Sequence, residues 1–112
     1  LPQLKPALID IKMLEKAFGG EALSKMLLMF KDELESSLLD IQLTAPQLAD
    51  KLHRTAGTIS MLGLTSIAEQ AWLLEEKIRQ EVYDDAEAEL TEFRSTLIQL
   101  ISELNAIIHA NN

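Results

Sequence analysis

Hydrophobic residues recur every three or four positions along much of this chain, which is the period of an amphipathic α-helix. One long stripe, between about Glu21 and Leu43, consists of Leu23, Leu27, Phe30, Leu34, Leu38 and Ile41. A second stripe, near the end of the chain, consists of Leu90, Phe93, Leu97, Leu100, Leu104 and Ile107. Its alternating three- and four-residue steps are typical of a bundle core. The pattern therefore predicts two long helices that each bury one face.

A further helix is predicted in the middle of the chain. The segment Thr44-Ala45-Pro46 indicates a break and a new start, with Thr44 or Ala45 at the cap and Pro46 in the first turn. The helix then runs to about Met61, and Gly63 is the predicted hinge or cap. Its apolar stripe is Leu48, Leu52, Ile59 and Leu62, with Thr55 or Ala56 in the middle turn.

A fourth helix and a short opening helix complete the predicted fold. The stripe of the fourth helix, which ends near Gln80, is Leu64, Ile67, Ala71, Leu74 and Ile78. The opening helix, from about Ile9 to Phe18, has Asp10 as N-cap and Gly19-Gly20 as its stop, and it is too short to be a bundle member. The prediction is an all-α fold, an antiparallel up-down four-helix bundle with an additional short N-terminal helix.

The composition fits a single domain over residues 1–112 and argues against several function classes. With 112 residues, 47% of them hydrophobic, the chain has room for one core and no second domain. A formal net charge of −8 without a dense run of Lys or Arg argues against a nucleic-acid partner. There is no cysteine and the two histidines are distant in sequence, so we expect neither a disulfide framework nor a metal site.

The expected location is the cytoplasm. No apolar stretch approaches the roughly 20 residues that span a bilayer, and the first residues lack the pattern of a signal peptide. We therefore expect a domain without direct membrane contact. The chain begins at Leu1 rather than Met, which we interpret as a domain cut from a longer protein.

His53 is the main candidate for chemistry. It lies about 100° around its helix from Leu52, so we expect it beside the apolar stripe and exposed to solvent. A neutral imidazole nitrogen is a competent nucleophile. By spacing alone, an incidental surface histidine is still the commoner explanation. His109 lies at the end of the last helix, where a cationic side chain suits the negative helix end.

Small residues surround His53 on the predicted helix. Gly57 and Ser60 follow it one and two turns later, and Ala49 and Ala56 flank them. Gly inside a helix costs roughly 0.5 to 1 kcal/mol relative to Ala, so Gly57 needs a reason other than helix formation. Close approach of a second domain to the imidazole is such a reason. We expect Ala49, Ala56, Gly57 and Ser60 to form a docking surface.

The residues around His53 resemble a known signature. The stretch LHRTAGTISMLGL at residues 52–64, followed by Leu74-Glu75, is similar to the motif of histidine-containing phosphotransfer (HPt) domains. That motif has a histidine, Gly four residues later, a second Gly ten residues later at the helix break, and a Leu-Glu pair in the following helix. The order of short, long and final amphipathic helices extends the resemblance over nearly the whole chain.

The resemblance implies a phosphorelay intermediate. His53 would accept a phosphoryl group from an aspartate of a response-regulator receiver domain and donate it to another receiver. In this family the receiver supplies the catalytic acids and Mg²⁺, so no cofactor is expected on this chain. The sequence has no P-loop or Gly-rich nucleotide motif. The isolated domain would therefore be a phosphotransfer module and not an enzyme.

The resemblance also implies residues that support the imidazole or the phosphate. Glu75 would orient the ring from the adjoining helix. Many members carry Lys three residues after the histidine to hold the phosphoryl group, and this chain has Ala56 there. Arg54 and Lys51 are the cations that could replace it, or they are merely solvated side chains.

By resemblance, the parent protein is a hybrid sensor histidine kinase anchored in a bacterial inner membrane, with this monomeric domain at its C-terminus. A stand-alone phosphotransfer protein is the alternative context. Two other functions stay open. A kinase dimerisation domain also presents a histidine on a helical bundle, but usually with an acidic residue directly after it and Pro four residues later, where this chain has Arg54 and Gly57. The other is a helical docking module whose histidine is never phosphorylated.

Overall fold

All regular structure described for this chain is helical. The computed structural model describes residues 7–39, 44–81 and 86–110. The helices are α1 (Ile11–Phe18), α2 (Gly20–Leu39), α3 (Ala45–Met61), α4 (Thr65–Arg79) and α5 (Ala86–Ala110). The predicted all-α class is thus confirmed for these residues, and the predicted end of the second helix, at 40–43, lies outside them. None of these five helices is long and apolar enough to cross a membrane.

Local hydrogen bonds explain where the helices begin. Asp10 caps α1 as predicted, because its Oδ1 accepts from the Met13 N–H at 3.2 Å. Thr44 caps α3 through a capping box: Thr44 Oγ1 accepts from the Gln47 N–H at 3.4 Å, and Gln47 Oε1 accepts from the Thr44 N–H at 3.0 Å. Pro46 follows in the first turn, where a missing N–H does no harm. Of the two predicted caps, Thr44 is the one used.

The turn between α3 and α4 depends on Gly63. Its φ is +81°, a left-handed conformation that glycine adopts without steric cost. The Gly63 N–H donates to Ser60 O at 2.9 Å and the Leu64 N–H donates to Ile59 O at 3.3 Å, which is the Schellman pattern of a helix end. A Cβ at this position would also displace the flexible end of the Met13 side chain. The predicted cap at Gly63 is confirmed.

The four long helices pack in a ring. Helices α2 and α4 each contact both α3 and α5, while α1 packs on α2. Apart from Leu38 and Ile41, whose side chains lie outside the description, the predicted apolar stripes form or line the core, whose buried members include Leu27, Leu34, Leu52, Ile59, Leu74, Leu97, Leu100 and Leu104. Each such side chain contributes about 1.5–3 kcal/mol when it leaves water. The pairing of α3 with α4 is the most extensive in the ring.

Alanines are fully buried on both helices of this pair, namely Ala49, Ala56, Ala68 and Ala71. Small side chains at a helix contact allow two backbones to approach closely. The prediction that Ala49 and Ala56 line an exposed docking surface is therefore wrong. Ala49 lies four residues before His53 and Ala56 three residues after it. These spacings place them about 40° and 60° from His53, on the same side of α3, which faces the core.

A pair of hydroxyl groups fixes the rotation of α3 on its opposite side. Thr55 Oγ1 donates to Lys51 O at 2.8 Å and lies 2.7 Å from Ser37 Oγ on α2. Thr55 is buried, and it lies about 200° around the helix from His53. Because Thr55 faces α2, His53 faces away from the core.

Ala56→Leu should destabilise the fold. A larger side chain has no space at a fully buried position, and overpacking of this kind lowers the free energy of unfolding by about 1–3 kcal/mol. Ala88→Leu, at an exposed position of α5, is the matched control and should change it by less than about 0.5 kcal/mol. Urea denaturation followed by circular dichroism measures both. Equal stability of the two variants would contradict the burial of Ala56.

Candidate functional site

The His53 imidazole projects from α3 into solvent. Its side chain is 66% exposed, as the sequence predicts. His109 is also exposed, in the last turn of α5. A partner molecule can therefore reach the His53 ring without any rearrangement of the bundle.

Glu75 of α4 holds one nitrogen of this ring. The distance between His53 Nδ1 and Glu75 Oε1 is 3.0 Å. A carboxylate can only accept a hydrogen bond, so the hydrogen lies on Nδ1 and the lone pair of the neutral ring lies on Nε2. The predicted contact between Glu75 and the imidazole is present, and it presents Nε2 to the solvent.

Arg79 and Asp50 extend this contact into a chain of four side chains. The second oxygen of Glu75, Oε2, accepts from Arg79 Nε at 2.8 Å. Arg79 Nη2 donates to Asp50 Oδ1, on α3, also at 2.8 Å. The Glu75 side chain is only 13% exposed, so both oxygens of a largely buried carboxylate are satisfied.

The sequence predictions did not include Arg79 or Asp50. A signal was available for Arg79, because Glu and Arg four residues apart lie on one face of a helix and pair there. Asp50 precedes His53 by three residues, which places it within about 60° of His53 around α3. Its partner on another helix depends on how α3 and α4 align, and no spacing within one helix gives that alignment.

Charge at the site is partly compensated by Arg79. The hydrogen bonds that the Arg79 guanidinium donates to Asp50 and then to Glu75 raise its pKa above the ordinary value. Arg79 therefore stays charged at neutral pH. With a neutral imidazole, the four side chains carry one positive and two negative charges.

The two predicted phosphate-supporting cations occupy other places. Lys51 Nζ donates to Ser36 Oγ on α2 at 2.8 Å. Lys51 precedes His53 by two residues and lies about 160° from it around α3. The structure therefore does not bring the Lys51 ammonium to the imidazole. Arg54 is exposed about 100° from His53, and its role stays a prediction.

Gly57 and Ser60 are exposed on the same side of α3 as His53. A Cβ added at Gly57 would meet no atom within 4 Å. The packing of the domain itself therefore does not require this glycine, although it weakens the helix. Docking at Gly57 and Ser60 stays a prediction, without Ala49 and Ala56.

The exposed apolar side chains of Met61 and Trp72 were not predicted. Met61 directly follows Ser60 on α3 and is 53% exposed, and Trp72 precedes Glu75 by three residues on α4 and is 39% exposed. For Met61 a signal was available, because it is an apolar residue outside the predicted stripe of its helix. Trp72 lies at the edge of the apolar stripe of α4, where the position around the helix does not by itself decide whether a side chain is exposed.

The acidic side chains at the site do not form a metal centre. Within residues 7–39, 44–81 and 86–110, no group of three or more His, Cys, Asp or Glu side chains is placed to hold a metal ion. Asp50 and Glu75 bind the Arg79 guanidinium instead.

Comparison with known proteins identifies the group to which this site belongs. A family model described as the Hpt domain matches residues 25–108, more than half of the chain. The chain belongs to the HPt family. HPt domains are phosphotransfer modules of two-component signalling, not enzymes, and they interact with receiver domains. Searches of curated proteins and of solved structures found no match.

The family assignment confirms the resemblance carried by residues 52–64. This stretch lies within the matched residues of the HPt domain and contains His53. The assignment favours phosphotransfer over the kinase dimerisation domain, whose motif the residues after His53 do not fit.

Proposed function

We propose that this HPt domain is a phosphorelay intermediate in which His53 accepts a phosphoryl group from a receiver aspartate and later donates it to a second receiver. The observation that carries the proposal is the 3.0 Å contact between His53 Nδ1 and Glu75 Oε1. It leaves Nε2 of an exposed imidazole as the nucleophile, and the family assignment supplies the reaction class.

The transfer balances without a cofactor on this chain. The lone pair of His53 Nε2 attacks the phosphorus of the aspartyl phosphate, the P–O bond to the aspartate breaks, and the aspartate leaves as a carboxylate. In the donation step a carboxylate oxygen of the second receiver's aspartate attacks the phosphorus and forms a P–O bond, while the N–P bond breaks and its electron pair returns to Nε2. No general base is needed, because Nε2 carries no hydrogen. The receiver supplies Mg²⁺ and the acids that bind it.

Glu75 stabilises the phosphorylated ring. With phosphorus on Nε2 and hydrogen on Nδ1, the imidazole carries a positive charge. The Glu75 carboxylate oxygen, 3.0 Å from Nδ1, is the compensating negative charge. The same hydrogen bond thus orients the neutral ring before transfer and stabilises the charged ring after it.

The receiver has to cover His53, so its contacts include the residues around the ring. We assign the docking surface to Gly57, Ser60, Met61 and Trp72. Gly57 and Ser60 leave room for close approach, while Met61 and Trp72 provide apolar contact area of the kind enriched at protein interfaces. Arg54, at the edge of this surface, is the cation proposed to attract the phosphoryl group.

Architecture and context belong to the same proposal. The ring of helix contacts and the tight turn at Gly63 support an antiparallel up-down arrangement of α2 to α5, with α1 as the additional helix. We propose one HPt domain over residues 1–112, monomeric when isolated and without nucleic-acid or membrane contact. It would act in the cytoplasm as the C-terminal part of a membrane-anchored hybrid sensor histidine kinase.

Phosphate mapping tests the proposed acceptor. The purified domain, incubated with a phosphorylated receiver and Mg²⁺, should gain an acid-labile, alkali-stable phosphoryl group on His53, located by mass spectrometry. His53→Gln should gain none, because glutamine has no nucleophilic ring nitrogen, and His109→Gln should behave as the wild type. A domain that binds receivers but stays unmodified across a panel of them would instead be a docking module.

Gly57→Leu should separate docking from stability. Leucine favours a helix by nearly 1 kcal/mol over glycine, and its Cβ meets no atom within 4 Å, so the free energy of unfolding should not fall. Displacement of the receiver should slow phosphoryl transfer by about tenfold to a hundredfold. Ala88→Leu on α5 is the control for an added surface leucine. Transfer by Gly57→Leu at the wild-type rate would remove this position from the docking surface.

A further inference from the structure

We propose that Arg79 is a positioning residue for phosphotransfer, which holds the Glu75 carboxylate against Nδ1 of His53 and neutralises the neighbouring carboxylate of Asp50. This inference rests on the proposed function of His53 and adds a residue to the same site. Arg79 reaches neither the phosphoryl group nor Nε2 in this role. It acts through Glu75.

Arg79 closes a loop of contacts around the imidazole. Its Nε binds Glu75 Oε2 and its Nη2 binds Asp50 Oδ1, each at 2.8 Å. Glu75 binds His53 through its other oxygen, and Asp50 and His53 belong to the same helix. A guanidinium is planar and its donors have fixed directions, so two bonds restrict both carboxylates at once. The loop therefore ties the position of Glu75 to the backbone that carries His53.

Arg79 also separates two negative charges. Asp50 and Glu75 bind the same guanidinium, so their carboxylates lie only a few ångströms apart. Without the arginine they would repel each other with no countercharge between them. Glu75, the less exposed of the two, would lose the partner of Oε2 and leave its position at Nδ1.

A plain surface ion pair is the competing explanation for Arg79. Exposed pairs contribute little to stability, and a cation in the last turn of a helix is favourable by itself. The pair between Lys77 and Glu89, on α4 and α5, is a half-buried ion pair with 2.6 Å between Nζ and Oε1, and it does not include His53 or Glu75. Lys77 thus provides a matched control, because it is a cation of the same helix in an ion pair outside the loop.

Transfer rates give the first test. Receiver domains phosphorylated with acetyl phosphate serve as donors, and the rate of phosphoryl gain by the domain is measured. Arg79→Gln should slow transfer by about tenfold, the factor that corresponds to loss of one charge-assisted contact. Arg79→Lys keeps the charge but lacks the planar group that binds both carboxylates. Its transfer rate should lie between those of Arg79→Gln and the wild type. Lys77→Gln should stay within twofold of the wild type, and Arg79→Gln within that same limit would overturn the proposal.

Double variants test whether Arg79 acts through Glu75. In a Glu75→Gln background, Arg79→Gln should cause no further loss of rate. In an Arg79→Gln background, Asp50→Asn should recover part of the lost rate, because it removes the repulsion. If the two substitutions lowered the transfer rate independently, the double variant would show the product of the two single losses. That result would overturn the positioning role.

The state of the ring gives a readout that needs no receiver. ¹⁵N NMR of the His53 imidazole in mildly alkaline solution should show the hydrogen mainly on Nδ1 in the wild type and in Lys77→Gln. Arg79→Gln should reduce that share, and an unchanged share would overturn the proposal. If no receiver phosphorylates the wild-type domain, the proposed function fails, while this measurement still decides the role of Arg79.

Discussion

The close packing of α3 against α4 is the constraint on which the site depends. Fully buried alanines such as Ala56 and Ala71 occupy this pair of helices, and the tight turn at Gly63 joins them. This close packing brings the Glu75 side chain to within 3.0 Å of the imidazole of His53. The buried methyl groups are therefore as much a part of the site as the polar residues that they bring together.

Rotation of α3 is the second constraint, and it is fixed from the opposite side. Thr55 faces α2 and contacts Ser37 there, so His53 faces solvent with its Nδ1 turned to α4. A histidine held in this way on a helix of a packed bundle is more precisely placed than one on a loop. Function here requires little else of the chain, since the proposed chemistry needs one exposed nitrogen and one carboxylate to balance the ring.

Features set by local sequence or by the family motif were predicted, and the other features set by the alignment of helices were not. The helices follow from apolar periodicity, the turn from Gly63, and His53 with Glu75 from a motif of fixed spacing. The burial of Ala56 was missed because Ala56 lies about 60° from His53, at the edge of the exposed helix face. At that edge, packing against the neighbouring helix decides whether a side chain is buried. The Arg79 contact to Asp50 crosses between helices, so no spacing along the chain reveals it.

The most direct test of this account is the site of phosphorylation on the imidazole ring. Glu75 occupies Nδ1, so ³¹P and ¹⁵N NMR of the ¹⁵N-labelled phosphorylated domain should show phosphorus coupled to Nε2 of His53 and hydrogen on Nδ1. Phosphorus on Nδ1 would show that Glu75 leaves the ring before transfer. That result would contradict both the orientation of the nucleophile and the charge compensation on which the mechanism rests.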